Sequence, residues 1–232
     1  MSKAITMVWR PRRLVVLSLA LLAMAASGYF AWKTWRPGGV KLPPEIQDQV
    51  YWQPVTIGAF SLERHGSAPL SPEALRGHWS FLFFGYTHCP DICPATLAVL
   101  GQAFRLIDQH PGKGEATQGI LISVDPRRDT PALLAEYAAF FHRRFQGATG
   151  SAEQLAALSG QLGVTHAIQA GSAGASEENY QVAHSATIFL IDPRGRLFAR
   201  FPPPQEAGEI ATAFARIRVY YEERESKRWA GF

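Results

Sequence analysis

The chain has 232 residues and a formal net charge of +4, and its 47% hydrophobic and 18% charged residues are ordinary proportions for a globular protein with its own core. Six of the 23 basic residues lie within residues 1–36, which hold no acidic residue, so the rest of the chain carries 17 basic against 19 acidic residues. A nucleic-acid-binding protein needs basic residues clustered in its folded part, and this distribution argues against that class of function.

An apolar segment over residues 14–35 predicts a single transmembrane anchor, because it is about long enough to span the hydrocarbon core of a bilayer. The three arginines of residues 1–13 precede it, so the positive-inside rule places that end in the cytoplasm and the rest of the chain outside it. A cleaved signal peptide is the alternative, since Ala23-Met24-Ala25 has small residues at the spacing of a cleavage site. Apolar character continues as far as Trp32, which favours an uncleaved anchor.

The residues that follow predict a linker, one folded domain and a polar tail. Residues 36–50 contain two proline-rich segments and are expected to form an extended linker. The folded domain is predicted over residues 51–222, and the charged tail over residues 223–232 is expected to fray.

Strand and helix patterns alternate within the predicted domain. They indicate a hairpin at 60–70, strands at 79–85, 119–124, 145–149, 186–191 and 197–201, helices at 94–109, 130–141, from 151 and at 210–221, and a loop at 169–178. This order predicts an α/β fold, a thioredoxin-like α/β/α sandwich with a central mixed sheet. The N-terminal β-hairpin and the strand at 145–149 are additions to that plan.

The sequence has two cysteines, Cys89 and Cys93, placed between a predicted buried strand and a predicted helix. A helix N-terminus favours the thiolate over the thiol, and the thiolate is both the nucleophile and the metal ligand. The pair could close a disulfide or bind one soft metal ion. A structural disulfide closing so short a ring would stabilise the fold only modestly, so its placement favours a chemical role.

Three segments of the sequence resemble signatures of the Sco/SenC family, which are membrane-anchored copper proteins with a thioredoxin-like fold. They are residues 85–94 (GYTHCPDICP), 123–131 (SVDPRRDTP) and 180–185 (YQVAHS). The resemblance covers about residues 51–221 and implies one copper ion bound by Cys89, Cys93 and His184. The family usually has an aspartate directly before that histidine, where this chain has Ala183.

The proposed ligands suit copper on chemical grounds as well, because two thiolates and an imidazole are soft ligands that match the monovalent ion. Zinc prefers four ligands, and the sequence has no third cysteine. His88 is expected to point away from the metal, and Asp91 to orient a ligand or cap the following helix. Asp125 and Asp129 fit capping and turn formation as well as they fit catalysis.

The resemblance implies a metallochaperone that takes copper from another copper chaperone and delivers it to the dinuclear copper site of cytochrome c oxidase subunit II. It favours the bacterial inner membrane, with the C-terminal domain in the periplasm, over the mitochondrial inner membrane. A thiol–disulfide reductase that uses Cys89 and Cys93 to keep the oxidase cysteines reduced is the competing hypothesis, so enzymatic activity stays open. His184 distinguishes the two hypotheses, because dithiol exchange does not need an imidazole. A peroxiredoxin-like peroxidase is disfavoured, because the residue three before Cys89 is not threonine.

Overall fold

The structure is a computed structural model that describes residues 11–35, 41–109, 116–164, 167–169, 181–183 and 186–229. The chain divides into two compact units, Met1–Lys41 and Leu42–Phe232. The first unit contains helix α1 (Pro11–Trp35), which covers the segment predicted as an anchor. Among the described residues, no helix is both long enough and apolar enough to cross a membrane.

The second unit is built on a mixed six-stranded sheet. Its strands are β1 (Val50–Thr56), β2 (Trp79–Gly85), β3 (Thr117–Ser123), β4 (Phe145–Ala148), β7 (Ile188–Ile191) and β8 (Arg196–Phe201). They are ordered β1-β8-β7-β2-β3-β4, with β2, β3 and β4 parallel and the remaining pairs antiparallel. Strands β5 (Ala167–Gln169) and β6 (Gln181–Ala183) form a separate antiparallel pair. The α/β fold with a central mixed sheet is therefore as predicted.

Five helices belong to the second unit: α2 (Pro72–Leu75), α3 (Ile92–Asp108), α4 (Pro131–Phe141), α5 (Ala152–Gln161) and α6 (Ala207–Trp229). Two of them begin at residues whose side chains cap the helix. The side chain of Thr130 accepts a hydrogen bond from the Leu133 amide, and that of Ser151 accepts one from the Gln154 amide. Each bond satisfies an amide that has no partner within its own helix.

The central strand β2 is buried along its whole length, which explains its continuous apolar sequence. Phe81 of β2 packs edge-on against Phe104 of α3 and Phe214 of α6, with ring centroids 5.2 and 5.1 Å apart. Helices α3 and α6 therefore cover the same face of the sheet. Because α3 packs along its length in this core, the cysteines at its start are held on a rigid element.

Residues 223–229 of the tail predicted to fray are instead helical, because α6 continues to Trp229, and residues 230–232 lie outside the described residues. Glu225 is nearly buried and pairs with Arg194 at 2.5 Å and with Arg196 at 3.3 Å, on the turn between β7 and β8. Arg196 also pairs with the fully buried Asp192. This ion-pair network holds the charged end of α6 against the sheet.

Two further differences from the sequence prediction concern strands. Strand β1 was not predicted, because it contains Pro54, but it lies at the edge of the sheet, where proline is tolerated. In place of the hairpin predicted over residues 60–70, the structure has an isolated antiparallel bridge between Leu62 and Leu70. Of the loop predicted at 169–178, residues 170–178 lie outside the described residues.

Candidate metal centre

Cys89 lies in the short loop between β2 and α3, and Cys93 follows it at the start of the helix. The first part of the loop is fixed, because the Cys89 amide donates a hydrogen bond to the Tyr86 carbonyl (3.3 Å) and the Val124 amide donates one to the Gly85 carbonyl (3.0 Å). The loop is thus attached to the end of β3 as well as to its own strand. Cys93 falls in the first turn of α3, because the helix begins at Ile92, two residues before the start predicted from the sequence.

The two sulfur atoms lie in different surroundings. Cys93 is fully buried and Cys89 is partly exposed, and the two are not joined by a disulfide. The backbone N–H of Cys93 donates to Cys89 Sγ at 3.4 Å. The accessible sulfur therefore lies at the N-terminus of α3, in contact with one of its backbone amides.

Burial raises the pKa of the Cys93 thiol well above its ordinary value, and the hydrogen bond with Cys89 raises it further. Gly85 makes room for this sulfur, since a Cβ at that position would lie 3.0 Å from Cys93 Sγ. A buried thiol of this kind stays protonated until a cation replaces its proton, and metal binding is the usual way in which that happens.

Tyr137 of α4 faces the cysteines from the neighbouring helix. Burial, followed by the charges of Cys93, Cys89 and Asp129, raises the pKa of Tyr137 to about 12. Its phenol is therefore neutral at physiological pH and adds no charge to the site.

The third predicted ligand, His184, lies outside the described residues. Strand β6 ends at Ala183, the residue directly before it. Among the residues that the structure does describe, no group of three or more histidine, cysteine, aspartate or glutamate side chains is arranged to hold a metal ion. The structure thus brings together Cys89 and Cys93, and the assignment of His184 rests on the sequence resemblance.

A buried carboxylate behind the cysteine loop is the main feature that the sequence did not reveal. Asp129 is fully buried, and its Oδ2 accepts hydrogen bonds from the Thr87 amide (3.0 Å) and from Ser123 Oγ (2.5 Å). Its Oδ1 accepts a hydrogen bond from Thr87 Oγ1 at 2.5 Å. Asp129 therefore connects the end of β3 to the loop two residues before Cys89. Nothing local in the sequence marks Thr87 as its partner, because the two residues are 42 positions apart.

The other acidic residues near the loop have simpler roles. Asp125 is buried and accepts a hydrogen bond from Arg128 Nε at 2.5 Å, and the Arg128 guanidinium lies 5.6 Å from the centre of the Tyr86 ring. The Asp125–Arg128 pair therefore supports the start of the cysteine loop at Tyr86. Asp91 occupies the N-cap position of α3, but its side chain makes no capping hydrogen bond, so the cap predicted there is wrong.

Comparison with known proteins agrees with this architecture. A family model described as SCO1/SenC matches residues 51–218. The bovine (Bos taurus) mitochondrial protein SCO2 homolog is 40% identical over 161 residues, which are 68% of this chain and 58% of that protein. A protein of Stutzerimonas stutzeri named as copper-binding is 42% identical over 64% of this chain and 70% of its own length. The chain thus spans about three fifths of the bovine relative.

Among solved structures, the copper-bound ScoI of Arabidopsis thaliana superposes with a TM-score of 0.63 at 31% identity. The match covers 70% of this chain and 98% of that one. The thioredoxin-like α/β fold predicted from the order of the elements is confirmed by this similarity.

Proposed function

The chain belongs to the SCO1/SenC family, and on that premise we propose that it is a metallochaperone that binds one copper ion through Cys89, Cys93 and His184. The observation that carries the proposal is the pair of sulfurs at the start of α3, one buried and one accessible, with the Cys93 amide nitrogen 3.4 Å from Cys89 Sγ. The copper-bound Arabidopsis relative and the copper-binding Stutzerimonas relative support copper as the cargo.

The two environments suit a protein that holds copper and then releases it. Cys93 lies where water is excluded, so a copper ion bound there is protected from solvent. Cys89 can be reached from outside, so a ligand of another protein can attack the ion from that side. Copper transfer by exchange of soft ligands needs both properties.

The acceptor that we propose is the dinuclear copper site of cytochrome c oxidase subunit II, and the donor is another copper chaperone. Membership of the family supports both. We also propose that the domain works outside the cytoplasm of a bacterium, tethered by residues 14–35, because the arginines before that segment favour this orientation. A reporter fused after Phe232 should then be active only outside the cytoplasm, and the chain should fractionate with membranes. Recovery of a soluble chain beginning near Ala26 would favour signal cleavage instead.

Copper(I) titration of the reduced chain tests the ligand set. We expect one copper ion per chain, and we expect Cys89→Ser or Cys93→Ser to abolish tight binding. His184→Ala should weaken binding by at least about tenfold, since even changes around a ligand cost that much. His65→Ala, on an exposed loop, is the control and should bind like the wild type. Two tightly bound ions per chain, or unchanged affinity in either cysteine variant, would contradict the proposal.

A thiol–disulfide reductase is the second candidate function, and the accessible Cys89 beside the buried Cys93 favours it. The two functions separate in a His184→Ala strain grown at limiting copper. A chaperone should fail to support oxidase assembly there and should be partly rescued by added copper. A reductase should support full oxidase activity, because its two cysteines remain.

A further inference from the structure

His88, directly before Cys89, is exposed, with 52% of its side-chain surface accessible. Its Nδ1 lies 3.0 Å from Thr87 Oγ1 and 3.8 Å from Asp129 Oδ1. The ring is therefore held through its Nδ1 side, by a hydroxyl that is itself bound to a buried carboxylate.

This arrangement determines which ring nitrogen carries the proton when His88 is neutral. The Thr87 hydroxyl has one proton, and it donates that proton to Asp129 Oδ1 at 2.5 Å. Thr87 Oγ1 can then only accept a hydrogen bond from His88, so the proton of the neutral ring must be on Nδ1. Nε2 consequently keeps its lone pair, which is the form of imidazole that binds a metal.

We propose that His88 is a receiving ligand for copper, which holds the incoming ion together with Cys89 before the ion reaches Cys93. This proposal rests on the proposed function, since it takes Cys89, Cys93 and His184 as the final ligands. The accessible surface decreases in the same order, from His88 through the partly exposed Cys89 to the fully buried Cys93. An ion arriving from a donor protein meets His88 and Cys89 first.

The transfer keeps copper in one oxidation state throughout. In the first exchange, the Cys89 thiol gives its proton to water, and bonds from copper to His88 Nε2 and to Cys89 Sγ form as bonds to the donor's ligands break. In the second, the Cys93 thiol gives its proton to water, its sulfur and the His184 imidazole bind copper, and the bond to His88 Nε2 breaks. His88 ends in its starting state, so it affects the rate of loading and leaves the final affinity unchanged.

His88→Asn is the variant that tests this role. Its amide can still donate a hydrogen bond to Thr87 Oγ1, as Nδ1–H does, but it has no atom in the place of Nε2. Loss of one ligand should weaken the first complex by at least about tenfold. Copper uptake by the full chain from the copper(I)–bicinchoninate complex should slow by the same factor, whereas the equilibrium copper affinity should stay within about twofold.

Two results would overturn the proposal. One is uptake by His88→Asn at the wild-type rate while the wild type still binds one copper ion. The other is a neutral His88 with its proton on Nε2, as measured by nitrogen-15 chemical shifts of the copper-free chain. A wild-type chain that takes up no copper, or one whose affinity does not depend on Cys93, would instead refute the proposed function itself. Circular dichroism of His88→Asn is expected to match the wild type, because the side chain is exposed.

Discussion

Replacing Asp129 by asparagine tests whether the carboxylate behind the loop sets the geometry of the copper site. Asparagine is nearly the same size, but one of its two terminal atoms is a donor. Its oxygen can take the place of Oδ2 and accept from the Thr87 amide and from Ser123, and its NH₂ then faces Thr87 Oγ1. The opposite orientation would bring the NH₂ against the Thr87 N–H, two donors facing each other.

The cost can be worked out from these contacts. Hydrogen bonds to a charged group contribute about 1.5–3 kcal/mol each, against about 0.5–1.5 kcal/mol for neutral ones. All three bonds to the carboxylate are replaced by neutral ones that are weaker by about 1 kcal/mol each, and we expect Asp129→Asn to destabilise the Leu42–Phe232 unit by about 3 kcal/mol. The new NH₂ also donates to Thr87 Oγ1, so the threonine hydroxyl donates its proton to His88 Nδ1 instead. The neutral His88 ring then carries its proton on Nε2, the atom proposed to bind copper. Copper loading should therefore slow as it does in His88→Asn.

Urea unfolding and copper uptake measure the two effects, with Asp91→Asn as the matched control. Asp91 is exposed and its side chain makes no capping bond, so the same substitution there should change stability by less than about 0.5 kcal/mol. If Asp129→Asn is as stable as Asp91→Asn and loads copper at the wild-type rate, the role assigned to the buried carboxylate is wrong.

Three further predictions concern the stability of the domain that carries the site. Gly85→Ala should lower the free energy of unfolding in urea by about 1–3 kcal/mol, because its Cβ would lie 3.0 Å from Cys93 Sγ. The control Gly160→Ala, with open space around it, should raise that free energy by up to about 1 kcal/mol. Thr130→Ala should lower stability by about 1 kcal/mol through loss of the α4 cap, and a value near zero would contradict the cap. Burial lowers the pKa of His142, and the positive charges of Arg144, Arg105 and Arg143 lower it further. The carboxylate of Asp108 acts in the opposite direction but does not cancel these effects. The unfolded chain therefore binds a proton that the folded chain does not, and stability should fall as pH drops below about 6.5, less steeply in His142→Asn.

Much of the fold could be predicted because its signals are local. The apolar run of β2 reflects burial on both faces, and the caps at Thr130 and Ser151 depend on amides only three residues away. Strand β1 escaped prediction because Pro54 lowers strand propensity, and its edge position, which removes that objection, follows only from the assembled sheet. The end of α6 was missed because Glu225 pairs with Arg196, 29 positions away.

The candidate site also has parts that could be predicted from local sequence and parts that could not. The cysteine pair was predictable from its spacing and its place between a strand and a helix. The hydrogen bonds from Thr87 to Asp129 were not, because only the parallel pairing of β2 with β3 brings the ends of these two strands together. For His184 the sequence offered a resemblance to the family and no local physical signal.

The edges of the sheet have a consequence for how the protein behaves before it meets a partner. One edge, β1, contains a proline and an irregular register against β8, and the other, β4, has four residues. Neither presents a long, regular row of free backbone donors and acceptors, which is what a second chain needs in order to add a strand. The domain is thus protected against edge-to-edge aggregation, even though a reactive cysteine must stay accessible on its surface.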